Sequence, residues 1–372
     1  MKITCNRRVL HEALQHVSRV VSGRTTLPIL SNVLLEASGA ELRLVAYDME
    51  IGATSKVAVE AREKGAITVP ARVLGDVVAS LPDATVEMES EDRSVLGLRC
   101  GHSEYTIHGL PAEEYPALPE VDGETVFEIS QAGMRDLIRS TIFAASRDET
   151  RAILTGVLLE RDGQAVKMVA TDSYRLAVKT APAEQVKHSA GEEKWQAIIP
   201  ARGLQELNRM LDPAATETPL QVHAGEQQMM FTVGPYVLIS RLIEGQFPNY
   251  GRLISREVTR TITVNREDLL GAIKRAAIVA RTEASKLVFE ARPEALTISA
   301  ESGDVGRARE ELAARLEGEE IQIAFNAEYL SDVLAVIQCE TVSWMLNTAM
   351  DPSLIRATDD PDYVYIVMPM QL

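Results

Sequence analysis

The sequence predicts an α+β fold of three similar domains in tandem. Each is a pseudo-two-fold pair of β-α-β-β-β units, with two helices packed on antiparallel sheets. Three observations carry this. Ile3-Thr4 and Arg8-Val9-Leu10 recur 64 positions later as Ile67-Thr68 and Arg72-Val73-Leu74, and Pro70-Ala71-Arg72 recurs as Pro200-Ala201-Arg202. A longer period repeats Val33-Leu34-Leu35-Glu36 as Val157-Leu158-Leu159-Glu160 and more loosely as Leu287-Val288-Phe289-Glu290. Finally, 372 residues exceed what one hydrophobic core organises.

The elements follow in order. Ile3-Thr4-Cys5 and Ile67-Thr68-Val69 read as short strands, each running into a helix. The first helix carries an apolar stripe of Val9, Leu10, Ala13, Leu14, Val17, Val20 and Val21. Its counterparts are Met134, Leu137, Ile138 and Ile142, then Leu269, Leu270, Ile273, Ala276 and Ala277. The second helix of each unit follows Pro70-Ala71-Arg72, Pro200-Ala201-Arg202 or Phe325-Asn326-Ala327. Alternating stretches such as Leu42-Arg43-Leu44-Val45 and Val166-Lys167-Met168 predict half-buried antiparallel strands. Proline and glycine punctuate the pattern near residues 122 and 253, giving domains at 1–122, 123–253 and 254–372.

Composition narrows the function. No run of eighteen apolar residues spans a membrane, the first residues read as a strand rather than a leader, and Cys5, Cys100 and Cys339 are too scattered for a disulfide framework or a zinc site. A cytoplasmic protein is expected. The net charge of −16 opposes a nucleic-acid partner only if it is evenly spread. It divides as −6, −2 and −8 over the three domains, yet the first helix of each is positive. These helices carry Arg7, Arg8 and Arg19; Arg135 and Arg139; and Arg266, Lys274, Arg275 and Arg281. Three equivalent basic helices in an acidic chain suit phosphate contact without base readout.

Catalytic signatures are missing from the sequence. No phosphate-binding glycine loop, dinucleotide fingerprint or zinc-protease helix occurs, and the six histidines lack ligand spacing. Asp48 and Asp172 occupy equivalent strand ends and could serve as acid–base carboxylates, but a turn capped by the carboxylate explains both. Asp359, Asp360 and Asp362 read as a solvated loop rather than a metal site. The residues alone leave open an acidic, repeat-built interaction scaffold that does not bind DNA, or a hydrolase using Asp48 or Asp172.

Longer motifs are more specific. Arg24-Thr25-Thr26-Leu27-Pro28-Ile29-Leu30 and Val69-Pro70-Ala71-Arg72 come first, followed by Ala170-Thr171-Asp172-Ser173-Tyr174-Arg175-Leu176-Ala177-Val178. Gly245-Gln246-Phe247-Pro248-Asn249-Tyr250, Phe325-Asn326-Ala327-Glu328-Tyr329-Leu330 and Val367-Met368-Pro369-Met370-Gln371-Leu372 complete the series. In these motifs, and in their order, the whole chain resembles the beta subunit family of bacterial DNA polymerase III, the beta sliding clamps.

The resemblance implies a non-catalytic processivity factor without cofactor or metal: a head-to-tail homodimeric ring that encircles duplex DNA, lined by twelve helices. Arg24, Arg72 and Arg202 are the implied DNA contacts. A groove between the second and third domains would take short linear motifs from the DNA polymerase III alpha subunit, the clamp loader and repair proteins. Carried over, its residues are Leu154, Thr171, Tyr174, Arg175, Leu176, Pro248, Arg252 and Leu253, with Asn326, Tyr329, Ile366, Met368, Pro369, Met370 and Leu372. Ring closure would use Tyr105 and Ile107 on an edge strand and Ile278 and Val279 at a helix end. The chain departs from the family pattern at Ser173-Tyr174, where Gly-His is frequent, at Gln371, where Arg is frequent, and at Ala284, where a bulkier apolar residue can sit. The first departure would narrow the groove mouth.

Overall fold

The computed structural model describes all residues except 22–26, 122–124, 164, 189–193, 216, 255–257 and 282–283, and the side chains of 91, 92, 125 and 126. Packing divides the chain into two compact units: residues 1–132, 187–191 and 202–242 form one, and 133–186, 192–201 and 243–372 the other.

Among the described residues the α-helices are α1 (Arg7–Ser18), α2 (Ala71–Ser80), α3 (Gln131–Thr141), α4 (Ala201–Met210), the single turn α5 (Gly251–Ile254), α6 (Arg266–Ala280) and α7 (Ala327–Val336). Their starts are written locally. The side chains of Asn6, Asn265 and Asn326 accept from first-turn N–H groups of α1, α6 and α7. Pro70 and Pro200 stand just before α2 and α4, where a missing N–H breaks no helical bond.

In the first unit, strands 60–63, 2–6, 85–92, 95–100 and 103–108 form one sheet in that order. Nine strands form another, in which 236–241 pairs with 51–58 and so continues the sheet that 41–47, 32–38 and 65–70 complete. Helices α1 and α2 pack together there. In the second unit twelve strands form one sheet, running from 194–200 to 321–326, with 175–180 and 363–367 paired as its fourth and fifth strands. Helices α6 and α7 pack against each other, and α6 covers strands 286–292, 295–302 and 306–317.

The repeat is visible in the strand register. Leu35 sits opposite Leu44 and Ile67, Leu159 opposite Met168 and Ala197, and Phe289 opposite Ile298 and Ile323. A one-residue slip would move each of these residues to the opposite face of its sheet, so packing against the helices fixes the same alignment three times. The helix stripes need one correction. Leu10, Ala13, Leu14, Val17 and Val20 are buried, but Val9 is 46 % exposed, and its counterpart Val73 is 47 % exposed. Each lies about 100° around the helix from its buried neighbour, off the core-facing stripe. On α6, Ala272 and Ala280 are buried, whereas Leu270 and Ala277 are half-buried.

Candidate functional site

The two strand-end aspartates have a structural task. Asp48 Oδ1 accepts from the N–H groups of Glu50 (3.0 Å) and Ile51 (2.8 Å), and Asp172 Oδ1 from those of Tyr174 (2.9 Å) and Arg175 (3.0 Å). In each turn the next residue adopts a positive φ, +78° at Met49 and +81° at Ser173. The carboxylates close hairpins, as the turn reading expects.

The second of these turns lies beside the groove residues, all of which belong to the second unit. Thr171, Arg175 and Leu176 come from the two strands it joins; Leu176 faces Thr171 on one side and Ile366 on the other. Leu154, Leu176 and Ile366 are buried, and Leu176 and Ile366 share an apolar cluster with Leu158, Val178, Phe247 and Leu354. Two openings are lined by the remaining candidates and their neighbours. Tyr174, Asn326, Tyr329, Met368, Pro369 and Met370 line one, together with Ala284 and Gln371. Leu253 and Ile366 line the other, with Ile254, Val258, Met345 and Leu354. Pro248, Arg252 and Leu372 are exposed.

The terminal segment is held by the backbone. Met368 N donates to Tyr174 O (2.8 Å), and Met370 N donates to Ala324 O (2.7 Å) in an antiparallel bridge. This fixes Met368, Pro369 and Met370 as a wall while their side chains stay partly exposed. Tyr174, at the mouth, is 58 % exposed.

Arg175 behaves differently from a groove-facing arginine. Its guanidinium donates to Asp332 Oδ2 (2.6 Å), Asp172 Oδ2 (3.1 Å) and Phe143 O (2.6 Å), and lies 4.5 Å from the centre of the Tyr329 ring. Burial alone would lower its pKa. The hydrogen bond to Asp332 and the charges of Tyr365, Asp172 and Asp332 outweigh that and hold it above the usual arginine value. These bonds tie the Asp172 turn to α7 and to the chain after α3.

The basic residues divide in the same way. Arg72, in the first turn of α2, is 94 % exposed, with Asp76 3.9 Å away. Arg24 lies outside the described residues. Arg202 pairs with the buried Asp48 carboxylate, lies 3.8 Å from Glu50 and donates to Val20 O (3.3 Å), so much of its charge is neutralised within the first unit. The positive helices lose charge to similar contacts. Arg7 donates to Val78 O and Ala79 O at the end of α2, and Arg266 to Leu334 O and Cys339 O at and beyond the end of α7. These equivalent arginines cap the partner helix of their own pair, where a cation meets the negative end of the helix dipole. Arg275 is paired with Glu310 (2.6 Å).

Of the strand edges that lie open among the described residues, two are long and near exposed apolar side chains. Strand 103–108 ends the five-stranded sheet, with Tyr105 exposed but Ile107 buried within its own chain. Strand 306–317 pairs along 306–313 with 295–302 on one side, whereas only its 314–317 end pairs with 261–264 on the other. Nearby on the same unit, Ile278 of α6 is 59 % exposed and Val279 half-buried.

Comparison with known proteins supplies the family. The descriptions "DNA polymerase III beta subunit" N-terminal, central and C-terminal domain match residues 1–119, 128–249 and 251–371. The chain belongs to the DNA polymerase III beta subunit family. Proteins named beta sliding clamp are 34 % identical in both Synechococcus elongatus and Escherichia coli, over the full length of both chains. Among solved structures, the DNA polymerase III subunit beta of Pseudomonas aeruginosa superposes with TM-score 0.94 at 34 % identity, covering 100 % of both chains. The DNA polymerase sliding clamp of Bacillus subtilis gives 0.94 at 32 %, covering 100 % of this chain and 99 % of that one. The fold is therefore that of the sliding clamps, with three mixed α/β domains built on antiparallel sheets.

Against this family frame, sequence reasoning missed the open edge at 306–313 and the opening lined by Ile254, Val258, Met345 and Leu354 beside Leu253 and Ile366. The first had a signal in the twelve residues of alternating polarity from Gly306 to Glu317, longer than the strands around it. The second had none, because its lining comes from separate strands and turns.

Proposed function

We propose that this chain is the sliding clamp of bacterial DNA replication, a cytoplasmic, non-catalytic accessory subunit that tethers DNA polymerase III to its template. Its three domains would span 1–122, 123–253 and 254–372. Two copies would close head to tail, the edge strand 103–108 of one pairing with the free stretch 306–313 of the other, with Tyr105 and Ile278 packed beside the seam. An open β edge left unpaired invites association, and this arrangement satisfies both edges at once. Duplex DNA would pass through the ring without base readout, held by Arg72 and other exposed cations. Polymerase alpha subunit, clamp loader and repair proteins would dock short apolar motifs in the groove, where two openings flank buried Leu176 and Ile366.

Full-length family membership is the observation that carries this reading, and the grouping of the groove residues in one unit agrees with it. The test is retention. Loaded onto nicked circular DNA, the protein is expected to stay bound through gel filtration and to leave once the circle is linearised; equal retention on both forms overturns the topological reading. For the groove, removal of Met370-Gln371-Leu372 is expected to abolish binding of a polymerase-derived peptide while the protein remains a dimer. Leu176→Asp is a poorer probe. Leu176 is 2 % exposed inside the sheet, so a carboxylate there disrupts the core as well as the groove.

A further inference from the structure

The opening walled by Met368, Pro369 and Met370 shares two aromatic residues, Tyr174 and Tyr329, with a second, charged concavity. Inside that concavity the acids are already engaged: Asp148 pairs with Arg151, and Asp172 and Asp332 pair with Arg175. Three exposed cations remain, Arg147, Lys274 and Arg281, facing Glu328 as the other charged lining group. The cations come from three places, the turn after α3, the middle of α6 and the residue that ends it, so the basin is assembled by the tertiary fold.

We propose that this basin receives acidic residues flanking the apolar motif of a groove-bound peptide, and so sets which partners the groove prefers. The inference rests on the groove reading. A chain leaving the groove across Tyr174 and Tyr329 enters the basin directly. Carboxylates suit the guanidinium forks of Arg147 and Arg281. The charge balance also favours a few carboxylates over a polyanion. Five cations face four acids in the lining, whereas a nucleic-acid backbone is held by an uncompensated basic stripe.

The test uses the full-length protein and two fluorescein-labelled peptides sharing one apolar core from the polymerase alpha subunit. One is flanked at both ends by Asp-Asp, the other by Asn-Asn. The acidic peptide is expected to bind about fivefold more tightly at low salt, with the difference vanishing near ~0.5 M salt. Combining Arg147→Gln, Lys274→Gln and Arg281→Gln should erase that preference and leave the Kd of the neutral peptide unchanged. Equal affinities, with the neutral peptide still lost on removal of Met370-Gln371-Leu372, overturn the inference and leave the groove standing. If neither peptide binds, the groove reading fails with it. If the triple variant instead flattens the salt dependence of duplex DNA binding and leaves the peptides unaffected, the basin belongs to nucleic acid and the inference is wrong.

Discussion

Replacing Arg175 with methionine keeps most of the side-chain volume and removes one mostly buried charge beside Tyr329 and the Asp172 turn. The guanidinium is 10 % exposed and joins four pieces of the second unit: the Asp172 turn, its own strand, the Phe143 carbonyl after α3, and Asp332 with Tyr329 on α7. Each lost charge-assisted bond exposes about 1–3 kcal/mol of unmet polar demand. Asp332, 43 % exposed, recovers much of this by hydration, while Asp172 keeps its two turn N–H donors. A net loss of about 2–3 kcal/mol is the reasonable sum, since stranding one member of a mostly buried pair costs ~3–5 kcal/mol without such relief. Hydrogen exchange reads this locally, which suits a protein of several domains whose global unfolding is not two-state. Protection in 172–176 and 327–336 should fall roughly 30- to 150-fold, the same energy expressed as an equilibrium ratio, with α1 and α2 unchanged. Arg175→Lys should fall nearly as far, because a point charge cannot span three acceptors held in different directions. Unchanged protection in both segments refutes the bracing role.

Three further expectations concern single positions. Ser173 holds φ at +81° where glycine carries no steric penalty, so Ser173→Gly should stabilise the second unit by about 0.5–1 kcal/mol, measured by urea denaturation, and Ser173→Val should destabilise it. Arg72→Ala should reduce the slope of log K for duplex DNA against log salt by about 0.9 per chain, whereas Arg202→Ala should leave the slope nearly unchanged and lower thermal stability by freeing the buried Asp48 carboxylate. His16 stacks on Tyr236 at 3.9 Å, and burial, then the charge of Arg19, lowers its pKa. The unfolded chain therefore binds more protons just below pH 6.5, so stability should decline as pH falls from 6.5 through the depressed folded value; His16→Gln should flatten that part of the melting profile, and an unaltered profile would contradict it.

How much of this was readable beforehand depends on the range of the interaction. The repeats were legible because a strand's register and a helix's stripe are local patterns, and Leu35, Leu159 and Phe289 take equivalent partners as their spacing implies. The Asp48 and Asp172 turns were legible for the same reason, since donor and acceptor lie within three residues. The candidate groove residues were chosen from their motifs, but their division into buried and exposed positions was not visible there. Leu176 and Met368 are both apolar, and only the strand pairing of 175–180 with 363–367 puts one under the surface while the chain beyond the strand leaves the other on it.

Charge was the least legible feature, because a cation's availability depends on partners distant in sequence. Counting placed Arg7, Arg266 and Arg275 on basic helix faces, yet the first two cap carbonyl groups some seventy residues away and the third is paired across 35 residues. Among the described residues of these helix pairs, exposed cations left to a duplex are sparse, Arg72 on α2 and Arg139 on α3. Sparse attraction suits the sliding ring proposed above. Phosphate contacts supply affinity in proportion to their number, and each adds to the barrier of moving to the next register. A topological tether does not need that affinity. Arginines that stiffen the helix pairs from within therefore serve a sliding surface better than arginines displayed on it, and the acidity of the rest of the chain follows without conflict.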